Sequence, residues 1–301
     1  MAQKISFRDE IKRNKIKSIV LISIIFIFFI LLGYIIALVL NPSYFFIIMI
    51  ISIIFSLSYV LISYYNSDRI AIASVKAKPA ERTTHAKFYR AAENMALASG
   101  LPMPKLFVMN SYEINAFASG RDPKNSVICV TTGALEKLNK EELEGVIAHE
   151  MSHIANYDIR FMTLATVLIG MISIAAQIFL RSLWFQSFDR NRDGRVQVLL
   201  IFLGILFAIL APIAAHLVSF AISRKREFVA DATGVQLTRY PPGLASALKK
   251  IKQGHVSAKE KHKYSKAMAP LFISNPFKKK FRGMFSTHPD IDERIKRLER
   301  M

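Results

Sequence analysis

The sequence predicts a mainly α fold: a polytopic helical membrane protein that also carries an α+β domain with a small β-sheet. Two observations predict it. Hydrophobic residues make up 52% of the chain and gather in four runs, each near or above the roughly 20 residues that cross a bilayer as a helix. Between the second and third runs lies a polar stretch that mixes helix signals with short β-branched runs.

The first run, Ser18 to Leu40, follows Lys4, Arg8, Lys12, Arg13, Lys15 and Lys17, and the positive-inside rule keeps that end in the cytoplasm. Its apolar core exceeds the roughly 7–15 residues of a cleavable signal peptide, and no small-residue cleavage site follows. Asn41-Pro42 makes a turn into the second run, Ser43 to Tyr65. Residues 1–66 are thus expected to form a transmembrane hairpin that returns to the cytoplasm, where Arg69, Lys76, Lys78 and Arg82 agree with that side.

Residues 67–158 form the first part of the polar domain. A helix is expected from about Pro79 to Ser99, with Pro79 suiting a first turn and Gly100 a helix end. Leu106–Met109 and Val127–Thr131 read as strands, and Ile114–Gly120 as a third, at a sheet edge. Asn139 with Glu142 three residues on resembles a capping box, so the next helix starts there. Residues 159–222 hold the other two apolar runs, Phe161–Leu180 and Val198–Ile222, the latter interrupted by Pro212 and His216. They read as two further spans or as a hairpin that partly enters the bilayer. The loop Arg181–Gln197 holds four arginines, which argues against placing it outside. Residues 223–301 form the second part of the domain. They contain a helix from Ser223 to about Leu237, a break at Pro241-Pro242-Gly243, a helix from about Ala245 to Lys252, a basic irregular stretch from Gly254 to Lys280, and a helical tail, Asp290 to Arg300.

The net charge of +19 fits cytoplasmic flanks that attract anionic lipid, and the run Lys278-Lys279-Lys280 between Phe277 and Phe281 suits a membrane surface. Nucleic acid is not expected as a partner. The single Cys129 allows no internal disulfide and fits a reducing compartment.

The chemistry-bearing stretch is His149-Glu150-Met151-Ser152-His153. On a helix, residues four apart share a face, so both imidazoles reach one metal ion while Glu150 stands where it can take a proton from water. A catalytic zinc needs a third protein ligand. Glu227, in Ser223-Arg224-Lys225-Arg226-Glu227-Phe228-Val229-Ala230-Asp231, is the candidate. Asp231, four residues on, could hydrogen-bond the far nitrogen of a ligand histidine. From the residues alone, Glu227 could equally pair with Arg224 or Arg226 at the surface. An edge strand near the metal could align a peptide by strand addition.

These blocks resemble the HtpX-type membrane metalloproteases. His149 to Asp158 looks like the HExSHxxNxD signature, Ser223 to Asp231 like SRxxEFxAD, Ile114-Asn115-Ala116-Phe117 like the substrate-side strand, and Phe285 to Pro289 like the THP block. The CAAX prenyl endopeptidases are similar in the same blocks. The resemblance implies a zincin-like (gluzincin) catalytic domain facing the cytoplasm from a multi-pass cell membrane. It implies one Zn2+ per chain and an endopeptidase for misfolded or damaged membrane proteins under stress, working with quality-control partners. It makes Glu227 the third ligand, gives Asn115 and His288 roles in binding substrate or steadying the oxyanion, and places Asn156 beside the ligand histidines. Asp290 departs from the family, where a second proline is common.

Two rivals remain. A prenyl-peptide processing protease would need a large enclosed intramembrane chamber, and four spans are few to build one. A non-catalytic membrane scaffold could keep the motif for stability. Other signals are set aside. Asp189 to Gly194 matches half of a calcium loop, but Leu200 stands where that loop needs glutamate. His216 lies in an apolar run, where ionisable residues are functional candidates. His85, His255 and His262 read as surface residues, and Trp184 with Phe185 and Phe188 as an interfacial anchor.

Overall fold

The computed structural model describes residues 7–39, 42–167, 202, 204–206, 224–254, 268, 271–274 and 289–301. Among these, helices dominate and one four-stranded mixed sheet completes the fold. Helix α1 (Phe7–Val39) and helix α2 (Phe45–Tyr65) form a hairpin across a 3-10 turn, Pro42–Tyr44. Phe29 wedges edge-on between Phe55 and Tyr59, each ring centroid 5.0 Å away. Gly33 allows the two backbones to meet, because a Cβ there would fall 1.9 Å from Ser52 Oγ. Small residues serve the same close approach in membrane helix pairs.

Asn14–Tyr34 and Phe45–Tyr65 are both long and apolar enough to cross a membrane, and only 28% and 11% of their most apolar windows is buried in the protein. A core helix of a soluble protein would hide such a surface. Here Phe46, Ile51, Ile54 and Ile62 all face outward, as lipid contact requires. Of the two later apolar runs, 161–180 and 198–222, only 161–167, 202 and 204–206 are described, and all are helical. The arginine-bearing loop, the calcium-like turn, Trp184 and His216 lie outside the described residues.

The sheet has the order β1-β2-β4-β3, from β1 (Lys78–Pro79), β2 (Lys105–Met109), β3 (Ala116–Asp122) and β4 (Asn125–Thr131). β2 and β4 run parallel, while β3 and β4 form an antiparallel hairpin, so β3 is an edge. One face packs on helices α4 (Ala86–Ser99), α6 (Lys140–Ala155) and α9 (Pro241–Gly254) through Phe88, Ile128, Ile147 and Leu248. The other face meets α3 (Ser67–Ser74) and Met162. A short helix α5 (Thr132–Lys137) leads from β4 to α6.

Three boundaries differ from the sequence reading. The helix expected from Pro79 begins at Ala86. Pro79 instead sits in the edge strand β1, where a missing N–H costs no ladder bond. α3 was not anticipated. Pro241-Pro242 does not separate two helices by a loop but opens α9, since proline lacks only an N–H that a first turn leaves unbonded. The remaining helices are α7 (158–167), α8 (Arg224–Thr238) and α10 (Ile291–Leu298), the last capped by Asp290 Oδ1 accepting from Asp292 N at 2.9 Å.

Candidate metal centre

α6 starts at the expected capping box: Asn139 Oδ1 accepts from Glu142 N at 2.8 Å and Glu142 Oε2 accepts from Asn139 N at 2.9 Å. The helix then carries His149 and His153 one turn apart on its buried face, with their Nε2 atoms 3.2 Å apart. α8 crosses α6 closely at Gly234, where a Cβ would stand 3.2 Å from His149 N. Glu227 and Asp231 lie on the same face of α8 as Gly234, so this approach carries both carboxylates to the histidines. Glu227 Oε1 is 3.7 Å from His153 Nε2, and Glu227 Oε2 is 3.7 Å from His149 Nε2.

One atom from each of the three buried residues lies within 4.8 Å of the others. Ligands about 2.0–2.2 Å from a tetrahedral zinc stand about 3.4 Å from one another, so the set fits such an ion with small closure of Glu227. The far ring nitrogens are held as ligand histidines require. His149 Nδ1 is 2.9 Å from Asp231 Oδ1, and His153 Nδ1 is 2.9 Å from Asp158 Oδ2. Arg294 clamps Asp231 through Nε at 2.8 Å and Nη2 at 2.6 Å. Asp158 Oδ1 accepts from Asn14 Nδ2 at 2.7 Å and faces Arg226 Nε at 3.2 Å. Arg226 therefore serves Asp158, and the surface pairing open to Glu227 in the sequence is replaced by burial, with 1% of Glu227 exposed.

Asp158 can turn back to His153 because Tyr157 takes a left-handed conformation, φ 58°. That conformation costs a non-glycine residue about 1–2 kcal/mol, and Lys15 and Arg160 hold the Tyr157 ring from cation–π positions.

Glu150 is fully buried, with Oε1 lacking any hydrogen-bond partner. Burial, reinforced by the Glu227 carboxylate, pushes its carboxyl up to about 7, against the opposing pull of His153 and of a hydrogen bond from the Ala118 backbone N–H. Burial holds His149 below its ordinary range, helped by Arg294 and opposed by Asp231. Burial acts the same way on His153, but Asp158 and Glu227 outweigh it and raise the ring to about 9. A ligand imidazole must be neutral, so metal binding at such a site depends on pH.

Of the other residues singled out in the sequence, Asn115 stands at the entry to β3. Its Nδ2 donates to Ser274 O at 2.8 Å, and it touches no ligand histidine. Asn156 is buried at the end of α6 and bonds no ligand ring in the structure. It caps α6, donates to Ser152 Oγ at 3.5 Å and gives its carbonyl to Asn14 Nδ2 at 3.0 Å. Asp158, two residues on, takes the place beside the ring. His288 lies outside the described residues. Sequence reasoning missed Asp158, Arg294 and Asn14. Asp158 had a signal, its fixed place in the quoted signature. Arg294 had none, since it sits in a run of charges that reads as a solvated helix.

Residues 81–301 match peptidase family M48. The chain belongs to that family. It is 47% identical over 249 residues to the "Protease HtpX homolog" of Caldanaerobacter subterraneus subsp. tengcongensis, covering 82% of each chain. It is 40% identical over 296 residues to that of Dictyoglomus thermophilum, covering 98% of this chain and 95% of the relative. The M48 chain is thus of HtpX type, a metalloprotease with candidate membrane helices. Among solved structures, S. mikatae Ste24p superposes with a TM-score of 0.46 at 19% identity, over 82% of this chain and 57% of that one.

Proposed function

We propose that this M48 protein is a multi-pass membrane zinc endopeptidase whose catalytic domain, residues 67–158 with 223–301, faces the cytoplasm and cleaves misfolded or damaged membrane proteins. The observation that carries the reading is the convergence of His149, His153 and Glu227 within 4.8 Å, with the buried, half-unbonded Glu150 beside them. Both polar ends of the membrane hairpin touch this domain: Asn14 bonds Asp158, and Arg121 Nη1 donates to Tyr65 O at 2.8 Å. The site is therefore at the membrane boundary, where protein substrates embedded in the bilayer are within reach, and the basic N-terminal flank supports the cytoplasmic side.

His149, His153 and Glu227 would hold the zinc, which when bound supplies Lewis acidity toward the scissile carbonyl and a more acidic water. Asp231 and Asp158 keep both rings aimed inward. Glu150 Oε1 is the acceptor for the water proton, which Glu150 then passes to the leaving amine. Asn115 binds peptide backbone through its carboxamide, and His288, by family resemblance, is the residue proposed to steady the oxyanion. Quality-control proteins of the membrane are the proposed partners.

The test is a pair of variants assayed on casein, with and without chelator. Glu150→Ala is expected to keep its zinc and lose about 10²–10⁴-fold in rate. Glu227→Ala is expected to lose zinc outright. A Glu150→Ala protein that cleaves at the normal rate ends the general-base assignment, and a Glu227→Ala protein with full zinc content ends the ligand assignment.

A further inference from the structure

The outer edge of β3 leads toward the catalytic carboxylate, because β3 packs against α6, the helix that carries Glu150. A piece of the same chain lies along that edge. Phe272 bridges Phe117 in antiparallel fashion, with the two rings edge to face at 5.3 Å. Ile273 N–H donates to Ala116 O at 2.9 Å. The Asn115 carboxamide meets both polar groups of Ser274, donating to its carbonyl at 2.8 Å and accepting from its N–H at 3.4 Å. From the opposite side, Arg294 Nη1 donates to Ile273 O at 3.2 Å, and the same Nη1 lies 3.3 Å from Glu227 Oε2. The Ile273 carbonyl is thus one guanidinium away from a metal ligand.

Each of these groups reads main chain rather than side chain. The Ala116 carbonyl, the Asn115 carboxamide and the Arg294 guanidinium would grip any extended peptide laid on this edge, which is how strand addition works. Two segments cannot pair with one edge at once. Ile273, 3% exposed, also fills an apolar space against the sheet–helix core. Among the described residues the backbone pairing is a single bridge and not a ladder, so an incoming strand has few main-chain bonds to replace, but it must also replace the burial of Leu271, Phe272 and Ile273.

We propose that residues 271–274 are an internal stand-in for substrate: they occupy the peptide-binding edge of β3 and must leave it before a polypeptide is cleaved. The inference rests on the endopeptidase reading above. It also names the register. A displacing peptide presents its backbone to Asn115, Ala116 and Arg294, and a bulky apolar residue in the place of Ile273 recovers the same burial.

The test uses the full chain in detergent with zinc and a dye-labelled decapeptide with isoleucine at its centre. In the inactive Glu150→Gln protein, peptide binding is expected to speed hydrogen exchange at the amides of Ile273 and Ser274 at least tenfold. In the active protein, Ile273→Gly and Ser274→Pro loosen the segment and are expected to lower KM at least fivefold while kcat changes less than twofold. A purely structural strand would instead lose zinc or activity when weakened. If peptide binds while both amides stay protected, or if the zinc-loaded variants show an unchanged or higher KM, the segment is a fixed part of the sheet and the proposal fails. Loss of the endopeptidase reading looks different: the wild-type protein, zinc bound, then cleaves no peptide at all.

Discussion

At the scale of single residues, the site is organised by carboxylates that never touch a metal. Asp158 accepts from Asn14 on one oxygen and meets His153 Nδ1 with the other. Asp158→Asn keeps the shape and removes the charge that orients and enriches the ring. Zinc affinity, read against a competing chelator, is expected to fall about 10–100-fold, and an unchanged affinity would show that Asp158 only fills space. Arg294 poses the opposite case, a cation buried to 2% exposure whose positive form is favoured by Asp231 and Glu227 over the burial that opposes it. Arg294→Met preserves much of the volume but leaves Asp231 without its clamp, and breaking a buried pair costs about 3–5 kcal/mol. A clear drop in the thermal midpoint is expected, with zinc addition restoring part of it, because the ion supplies positive charge beside the same carboxylates. The two histidines and Glu150 were legible because helical spacing of four residues is a local property, whereas Glu227 stayed open between ligand and surface ion pair until the family resemblance singled it out. Arg294 was not, because its partner Asp231 lies 63 positions away and nothing local distinguishes it from the exposed charges around it.

At the scale of elements, the decisive contact is between α6 and α8. Its geometry depends on Gly234, where an added Cβ would stand 3.2 Å from the His149 backbone nitrogen. Gly234→Val must push α8 outward and carry Glu227 with it, so zinc content is expected to fall while α8 itself stays helical by circular dichroism. The start of α6 makes a pH prediction. Burial alone would raise the Glu142 carboxyl, but Lys250, Ser246 and the Asn139 N–H outweigh it and hold it below its ordinary range. A depressed carboxylate contributes stability that is fully present above the unfolded value of about 4.3 and is lost as pH falls through the lower folded value. Glu142→Gln is therefore expected to be about 1–2 kcal/mol less stable at pH 7, with the gap to wild type closing below pH of about 4. An equal gap at both pH values would mean that the carboxylate charge contributes nothing. The capping box was readable in the sequence because its two residues are three apart. The start of α4 was misread because Pro79 suits either a first helical turn or an edge strand, and only the partner strand β2 decides between them.

At the scale of the whole molecule, the apolar hairpin is joined directly to the candidate metal site. Hydropathy makes the hairpin visible in the sequence, but not its attachment, since Asn14 and Asp158 are 144 positions apart. Asn14 is 5% exposed and sits at the polar end of the first membrane-length segment, Asn14–Tyr34. It donates both to the Asn156 carbonyl at the end of α6 and to Asp158, while Phe161 and Leu164 of α7 pack on Leu21 and Phe28 of α1. α1 is thereby tied directly to the carboxylate that holds the His153 ring. Asn14→Ala removes the polar link and leaves the apolar packing and the membrane segment intact. A hydrogen bond to a charged group contributes about 1.5–3 kcal/mol, and the share felt at His153 should slow casein cleavage roughly 5–30-fold, by the same conversion of energy to rate. Phe46→Ala, which alters an outward-facing side chain far along the hairpin, supplies the comparison and should leave the rate within twofold. Equal rates for both variants in washed membranes would mean that the hairpin merely anchors the domain. A selective loss in Asn14→Ala would make the first membrane helix a working part of the metal centre.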